Sequence, residues 1–189
     1  LTEVEQQLAY CAFQVMQNRK SWLNELYEHI DRPASGFPSC SIMIKEPFGP
    51  SFQEEEASEE TLRHAYRQFR QRDVSAGRAL NGPHKADLYV HHLGKDMPAH
   101  QCSTGEQKAL LVCCLIAHLK NLKRKLPNHI LVVLLDEIAA HFDPIRRASL
   151  AEEFRNLGVQ AFFTGTEESL FSAFRDEARF IRVSDGSVE

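Results

Sequence analysis

The most constraining feature of this sequence is an apolar run at residues 130–135 that leads directly into two adjacent carboxylates, Asp136 and Glu137. A continuous apolar run of this length predicts a fully buried strand of a parallel sheet. Open α/β sheets bind ligands at the carboxyl ends of their strands, so both acids are expected at that edge. Paired acids there suit nucleotide chemistry, with Asp136 holding Mg²⁺ directly or through water and Glu137 acting as catalytic base for the attacking water. The competing interpretation is a core strand with a solvated acidic end.

Composition narrows the class of protein. The 189 residues, 43% hydrophobic and 25% charged, suit a soluble globular chain of one domain or slightly more. The formal net charge of −4 argues against general attraction to nucleic acid, so any DNA contact must be a local patch. Because the sequence has no apolar run of about 20 residues and no signal-peptide pattern, we expect a cytoplasmic protein without a membrane partner. The five cysteines form no CxxC pair and no HExxH occurs, which favours reduced thiols and argues against zinc.

Residues 1–79 are predicted to form part of a helical lobe. An apolar stripe predicts a helix over residues 1–30. The stripe begins with Leu1, Val4, Leu8, Cys11 and Val15. After a proline-rich connection with a short predicted strand at residues 40–45, a second helix is expected over residues 59–73, with Ser58 as its N-cap. The two helices are expected to pack as an antiparallel pair.

The second predicted helix carries three arginines, Arg63, Arg67 and Arg70, on one face. Such a stripe offers phosphate contacts for DNA. A solvated charged face is the commoner use of this pattern, and the sequence leaves both interpretations open.

From residue 80 the pattern changes to alternating strands and helices, so residues 80–189 are predicted to form an α/β head. The predicted strands cover residues 88–92, 130–135, 159–164 and 180–183. The predicted helices cover residues 104–123 and 145–157, with a short helix at residues 168–174. Strand-helix-strand alternation predicts a parallel sheet with right-handed crossovers.

The helix that starts at residue 104 admits two interpretations of its first turn. Ser103 with Glu106 three residues later forms a capping box, which stabilises a helix start by about 1 kcal/mol. A capped start rich in serine and glycine is also a ready anion site, because free amides and the positive end of the helix dipole meet there. The spacing alone does not choose between these interpretations.

The order of these motifs resembles that of ABC-type ATPases. The segment that resembles their signature motif comprises Ser103, Thr104, Gly105, Glu106, Gln107 and Lys108. Residues 130–137 resemble their Walker B strand. The segment that resembles their D-loop comprises Ala140, His141, Phe142 and Asp143. The resemblance implies an α/β P-loop NTPase fold in which the signature motif binds a nucleotide held by a second subunit.

Within that class, residues 80–189 resemble the RecF family of bacterial DNA replication and repair proteins. The resemblance is carried by GPHKADL at residues 82–88, STGEQKALL at residues 103–111 and DPIRR at residues 143–147. It implies ATP and Mg²⁺ as cofactors, an ATP-dependent homodimer on DNA at single-strand gaps or duplex junctions, and roles in recombination and the SOS response. It also implies cooperation with RecO and RecR in loading recombinase. The role of the Gly-Pro-His sequence at residues 82–84 stays open.

Two departures from the ABC pattern shape the expected activity. The position of the usual switch histidine falls within residues 163–166, where Thr164 or Thr166 would have to take that role. No GxxxxGK[ST] phosphate loop occurs in the sequence. The chain is therefore expected to be a fragment that lacks its N-terminal lobe and is inactive alone, while its parent is a weak ATPase.

Three alternatives remain at this point. A transporter ATPase usually has a proline after the two acids, whereas this sequence has Ile138. An SMC-type head would need long heptad arms on either side of the core. A DNA- or partner-binding module without turnover is consistent with the missing phosphate loop.

Overall fold

The computed structural model describes residues 2–30, 36–45, 48, 57–184 and 186–188. The chain divides into two compact units. Unit 1 comprises Leu1–Glu28 and Ser41–His91, and unit 2 comprises His29–Cys40 and His92–Glu189. The lobe boundary predicted after residue 79 stays a prediction. Within the described ranges, no helix is long and apolar enough to cross a membrane.

Two helices and two strands account for most of unit 1. They are α1 (Thr2–Ile30), β1 (Cys40–Lys45), α2 (Glu59–Ala76) and β2 (Asp87–His92). The two strands are neighbours in one sheet. The predicted cap of α2 is confirmed, because the Ser58 hydroxyl accepts the Thr61 N–H at 3.2 Å. The helix ends at Gly77, whose φ of 65° lies in the left-handed region that glycine adopts without strain.

Helices α1 and α2 share one hydrophobic core, which confirms that they contact each other, while their antiparallel arrangement stays a prediction. Their shared core contains Ala9, Ala12 and Met16 from α1, Leu62 and Ala65 from α2, and Phe48. The alanine side chains leave room in this core that the larger residues fill.

The apolar stripe predicted as the buried face of α1 is wrong over the first half of the helix. Val4 is 58% exposed, and Leu8, Cys11 and Val15 are exposed as well. The buried face lies one position further along the helix and includes Glu5. A carboxylate is tolerated on that face because two arginines of α2 contact it. Arg70 Nε donates to Glu5 Oε1 at 2.7 Å, and Arg67 Nε lies 3.6 Å from Glu5 Oε2.

Unit 2 contains the α/β part of the chain. Its helices and strands are β3 (Met97–Pro98), α3 (Thr104–Lys125), β4 (Val132–Leu135), α4 (Pro144–Leu157), β5 (Gln160–Phe163), β6 (Val183–Ser184) and β7 (Ser187–Val188). Short 3₁₀ turns cover Leu93–Lys95, Ala139–His141 and Glu168–Phe174. The strand predicted at residues 180–183 is largely wrong, because β6 begins only at Val183 and pairs antiparallel with β7.

Strands β4 and β5 pair in parallel, which confirms the predicted sheet type. The register places Val132 opposite Gln160 and Leu135 opposite Phe163. Helix α4 connects the two strands. It begins at the N-cap Asp143, whose carboxylate accepts the Arg146 N–H at 2.9 Å, and ends at Gly158 with a φ of 57°. Both helix ends therefore follow from local side-chain and backbone chemistry.

The prediction that β4 is fully buried is wrong, because the strand alternates between two faces. Val133 and Leu135 are buried, whereas Leu134 is 77% exposed and Val132 is also exposed. The buried face contacts α4, since Phe163 beside Leu135 meets Phe154 edge-on with ring centroids 5.4 Å apart. Phe162 is exposed together with Leu134 on the opposite face. Only one face of this strand pair is thus covered by the described residues of unit 2.

Candidate functional site

The two acids lie at the carboxyl end of β4, as predicted. Asp136 and Glu137 follow the strand directly, and both side chains are exposed. Glu137 has a φ of 50°, a left-handed conformation that is uncommon for a residue other than glycine. Such a conformation costs about 1 to 3 kcal/mol and persists where the surroundings fix it.

Thr164 connects both acids through one hydroxyl group. It follows β5, and its backbone N–H donates to the Leu135 carbonyl at 3.0 Å. Its hydroxyl donates to Asp136 Oδ1 and accepts the Glu137 N–H at 3.1 Å. Of the two threonines considered for the switch position, Thr164 therefore contacts the acids directly, and Thr166 lies exposed beyond it.

The segment that resembles the signature motif forms the capped start of α3. Glu106 Oε2 accepts the Ser103 N–H at 3.1 Å and the Ser103 hydroxyl at 2.9 Å. Gln107 donates from its side-chain amide to the Cys102 carbonyl at 3.0 Å, and Lys108 is half-buried. Ser103 and Thr104 are exposed. The capping box is present, and the outer side of the helix start is accessible.

Lys95 is a charged partner of this helix start that could not be predicted from the sequence. Its ammonium group forms an ion pair with Glu106 Oε1. Together with the hydrogen bonds from Ser103, the Lys95 contact lowers the pKa of Glu106 from 4.5 to about 2. No local pattern in the sequence links the two residues, because the lysine lies in the 3₁₀ turn before β3.

The segment that resembles the D-loop joins the 3₁₀ turn Ala139–His141 to α4. Phe142 is buried and contacts Phe37 edge-on, with ring centroids 5.5 Å apart. Arg146, in the first turn of α4, donates from Nε to the Gly36 carbonyl at 2.9 Å. Neither Phe37 nor Arg146 was predicted as part of the site, although Arg146 belongs to the DPIRR motif.

The signature and D-loop segments approach each other within unit 2. A Cβ atom at Gly105 would lie 3.7 Å from the carbonyl oxygen of His141, which is ordinary van der Waals contact. Ala140 is exposed in the same turn. By contrast, Arg63, Arg67 and Arg70 belong to unit 1, where two of the three guanidinium groups contact Glu5.

The acids at the carboxyl end of β4 fit a Mg²⁺ ion that the protein holds only in part, with waters and phosphate oxygens as its other ligands. The described part of the chain contains no group of three or more His, Cys, Asp or Glu side chains that could hold a metal. Mg²⁺ in nucleotide sites is commonly held by one or two carboxylates, with waters and phosphate oxygens as its other ligands. An exposed Asp136 satisfies that requirement by itself.

The parallel strand pair, its acidic edge and the capped helix start belong to a P-loop NTPase fold, as the likeness to solved RecF and SMC structures shows. Solved structures share this fold. One on ATP-driven dimerization and DNA-stimulated activation of SMC ATPases matches 92% of this chain and 84% of its own, with a TM-score of 0.52 and 15% identity. One of the recombination mediator protein RecF with ATP, in the RecFOR pathway, matches all of this chain and 49% of its own, with a TM-score of 0.70 and 20% identity.

The chain is also similar in sequence to curated proteins. The DNA replication and repair protein RecF of Rhizobium etli (strain CIAT 652) is 44% identical over 191 residues, which is 100% of this chain and 51% of that protein. RecF of Brucella abortus (strain 2308) is 41% identical over 100% of this chain and 50% of that protein. No protein-family model matches the sequence. The chain spans about half the length of these curated relatives, and the match fits the C-terminal portion of RecF.

Proposed function

We propose that this chain is the C-terminal part of an ATP-dependent DNA-binding protein of recombination and repair. In the full-length protein, ATP is sandwiched between the Walker motifs of one subunit and the signature motif of another, and the dimer helps to load recombinase at gaps in DNA. The observation that supports this best is the exposed pair Asp136 and Glu137 at the carboxyl end of parallel strands, in the same compact unit as the capped helix start at Ser103.

The two acids have different roles in this proposal. Asp136 would hold Mg²⁺ directly or through a water molecule, and the ion would supply charge neutralisation at the phosphate groups. Glu137 is the catalytic base: its carboxylate orients the attacking water and accepts its proton. This division agrees with the hydrogen bonds, since Asp136 Oδ1 is held by the Thr164 hydroxyl while the described contact of Glu137 is through its backbone N–H.

The start of α3 serves as the anion site for a nucleotide held by the second subunit. Ser103 and Thr104 are exposed, and the first amides of a helix have no partner within it. Gly105, Glu106, Gln107 and Lys108 complete the signature segment. The D-loop residues, Ala140 to Asp143, lie beside it through the approach of Gly105 to His141. Nucleotide binding would thereby favour a homodimer.

The phosphate loop must come from a part of the full-length protein outside these residues, because the sequence contains no GxxxxGK[ST]. Without its amides and lysine there is no cradle for the β- and γ-phosphates. The chain alone is therefore inactive, and the parent protein is a weak ATPase. The relatives are about twice the length of this chain, which leaves room for that loop.

DNA at single-strand gaps or duplex junctions is the proposed partner, with RecO and RecR as further partners and a cytoplasmic role in the SOS response. The support is the family relationship to DNA replication and repair proteins. Among the three candidate DNA contacts, Arg63 is the one that makes no described ion pair with Glu5. A DNA- or partner-binding module without turnover is the second candidate, and the missing phosphate loop is the observation that favours it.

The roles of Asp136 and Glu137 can be tested separately by substitutions in the full-length protein. We expect Glu137→Gln to retain ATP binding and ATP-driven dimerisation but to slow hydrolysis by about 10²-fold or more, the usual worth of a positioned base. Asp136→Asn should weaken Mg²⁺-dependent ATP binding instead. The measurements are ATP titration at several Mg²⁺ concentrations, sedimentation velocity with and without ATP, and single-turnover hydrolysis.

Glu152→Gln, at an exposed position of α4, is the matched control and should change none of these quantities. Equal loss of ATP binding in both acid variants would contradict the proposed division of roles. A wild-type protein that binds DNA but neither binds nor hydrolyses ATP would favour the binding module.

A further inference from the structure

Thr164 occupies a position that is fixed by the pairing of the two parallel strands. The ladder between β4 and β5 ends with Leu135 opposite Phe163, and the Thr164 N–H adds one more bond to the Leu135 carbonyl at 3.0 Å. The next residue along β4 is Asp136. Thr164 therefore lies across from the first acid as a consequence of strand register.

One oxygen atom of Thr164 makes two hydrogen bonds of opposite sense. The hydroxyl donates to Asp136 Oδ1, and the same oxygen accepts the Glu137 N–H at 3.1 Å. A threonine hydroxyl can do both at once because it has one donor and two acceptor lone pairs on a single atom. A neutral histidine places its donor and its acceptor on different ring nitrogens, so it could not make this pair of contacts from one atom.

The hydrogen bond from the Glu137 N–H to the Thr164 hydroxyl involves a residue with an uncommon backbone conformation. Glu137 has a φ of 50°, so its N–H and its side chain point in directions that an extended residue would not give them. The bond to Thr164 holds that N–H, and the bond to Asp136 holds the neighbouring carboxylate. Both acids are thereby fixed relative to each other by one side chain from the adjacent strand.

We propose that Thr164 is a positioning residue for the two acids, acting on them within its own subunit rather than on the γ-phosphate. This role rests on the ATPase function proposed above. It differs from that of a switch residue, because removing the hydroxyl should disturb the chemical step and leave nucleotide binding and dimerisation in place.

The test compares three variants of the full-length protein. Thr164→Val removes the hydroxyl and keeps the shape of the side chain, Thr164→Ser keeps the hydroxyl, and Thr2→Val, at an exposed threonine of α1, is the matched control. We expect Thr164→Val to lower kcat about 10- to 100-fold, the usual effect of losing a group that orients site ligands. The KM for ATP and the ATP-driven dimerisation should stay within about twofold of wild type, as for a loss confined to the transition state. Serine should restore turnover, and the control should match wild type.

A second readout does not depend on turnover. In the ¹⁵N-labelled 189-residue chain, Thr164→Val should move the Glu137 amide proton resonance upfield, because its hydrogen-bond acceptor is lost, whereas Thr164→Ser should leave it near its wild-type position. Melting curves of the variants check that each one is folded.

The outcomes distinguish this role from the ATPase proposal. Wild-type turnover in Thr164→Val, beside an active wild type, overturns the positioning role and leaves the ATPase proposal intact. A parallel loss of ATP affinity and dimerisation in that variant also overturns it, in favour of a γ-phosphate contact. An unmoved Glu137 amide resonance contradicts the hydrogen bond itself. A wild type without ATP hydrolysis overturns the ATPase proposal and this role with it.

Discussion

Phe154 of α4 holds the strand pair that carries the candidate site. Its side chain is 5% exposed, and its ring meets that of Phe163 at a centroid distance of 5.4 Å. Phe163 in turn lies 4.7 Å from the ring of Phe174 and directly precedes Thr164. Truncating Phe154 should therefore loosen the support behind the acidic edge.

The expected loss of unfolding free energy in Phe154→Ala follows from the burial of the side chain and from its neighbours. Replacing a buried phenylalanine with alanine costs about 3 to 5 kcal/mol, of which an edge-on aromatic pair supplies roughly 0.5 to 1.5. The lower end is expected here, about 3 kcal/mol, because the half-buried Phe163 can relax toward the gap. For a chain of this size that corresponds to a melting temperature roughly 6 to 12 °C lower.

Two companion variants make the measurement specific. Phe154→Leu removes the ring pair but keeps most of the apolar volume, so it should cost about 1 to 1.5 kcal/mol. Ile145→Ala lies on the same helix at a side chain that is 71% exposed, and it should stay within about 0.5 kcal/mol of wild type. Calorimetric melting and urea unfolding give the three values. A Phe154→Ala cost below about 1 kcal/mol, no larger than that of Ile145→Ala, would refute packing of α4 on this sheet face.

Two further predictions use the isolated chain. It should bind MgATP poorly and show no turnover, because it has no phosphate loop, and calorimetric titration giving a micromolar Kd would contradict this. The Lys95 and Ser103 contacts hold the pKa of Glu106 at about 2 in the folded chain, below its ordinary 4.5, so their stabilisation is present above pH 4.5 and is lost as the pH falls toward 2. Melting temperatures of wild type and Glu106→Gln should therefore converge over that range, and a constant difference would show that the carboxylate contributes nothing through its charge.

Helix caps and strand type could be predicted from the sequence because they depend on chemistry within a few residues. Ser58 caps α2 through its own hydroxyl, and Gly158 ends α4 because it adopts a positive φ. The parallel pairing of β4 and β5 followed from the intervening helix. The position of Asp136 and Glu137 at the sheet edge could be predicted from the direction of the strand alone.

The choice of buried face was predicted poorly because it depends on the partner. In α1, periodicity favoured the stripe at Val4 and Leu8, whereas the packed face includes Ala9 and Glu5. Ala9 shares a core with residues of α2, and arginines of α2 contact the acid, so the side chains of the partner helix decide which face is buried. In β4, the continuous apolar run predicts that both faces are covered, but Leu134 is exposed.

For the start of the signature segment, the sequence left open whether it is a helix cap or an anion site. Contacts between residues distant in sequence make both interpretations compatible. The capping box is formed, and the Glu106 carboxylate accepts the Ser103 N–H and hydroxyl. The amides of Thr104 and Gly105, by contrast, keep no partner within the helix. A carboxylate beside a phosphate site would oppose the anion, but Lys95 is paired with Glu106 and brings positive charge to the same place. The cap and the anion site are therefore compatible at one helix start. The residue that makes them so lies in a separate turn, which explains why spacing within the motif could not reveal it.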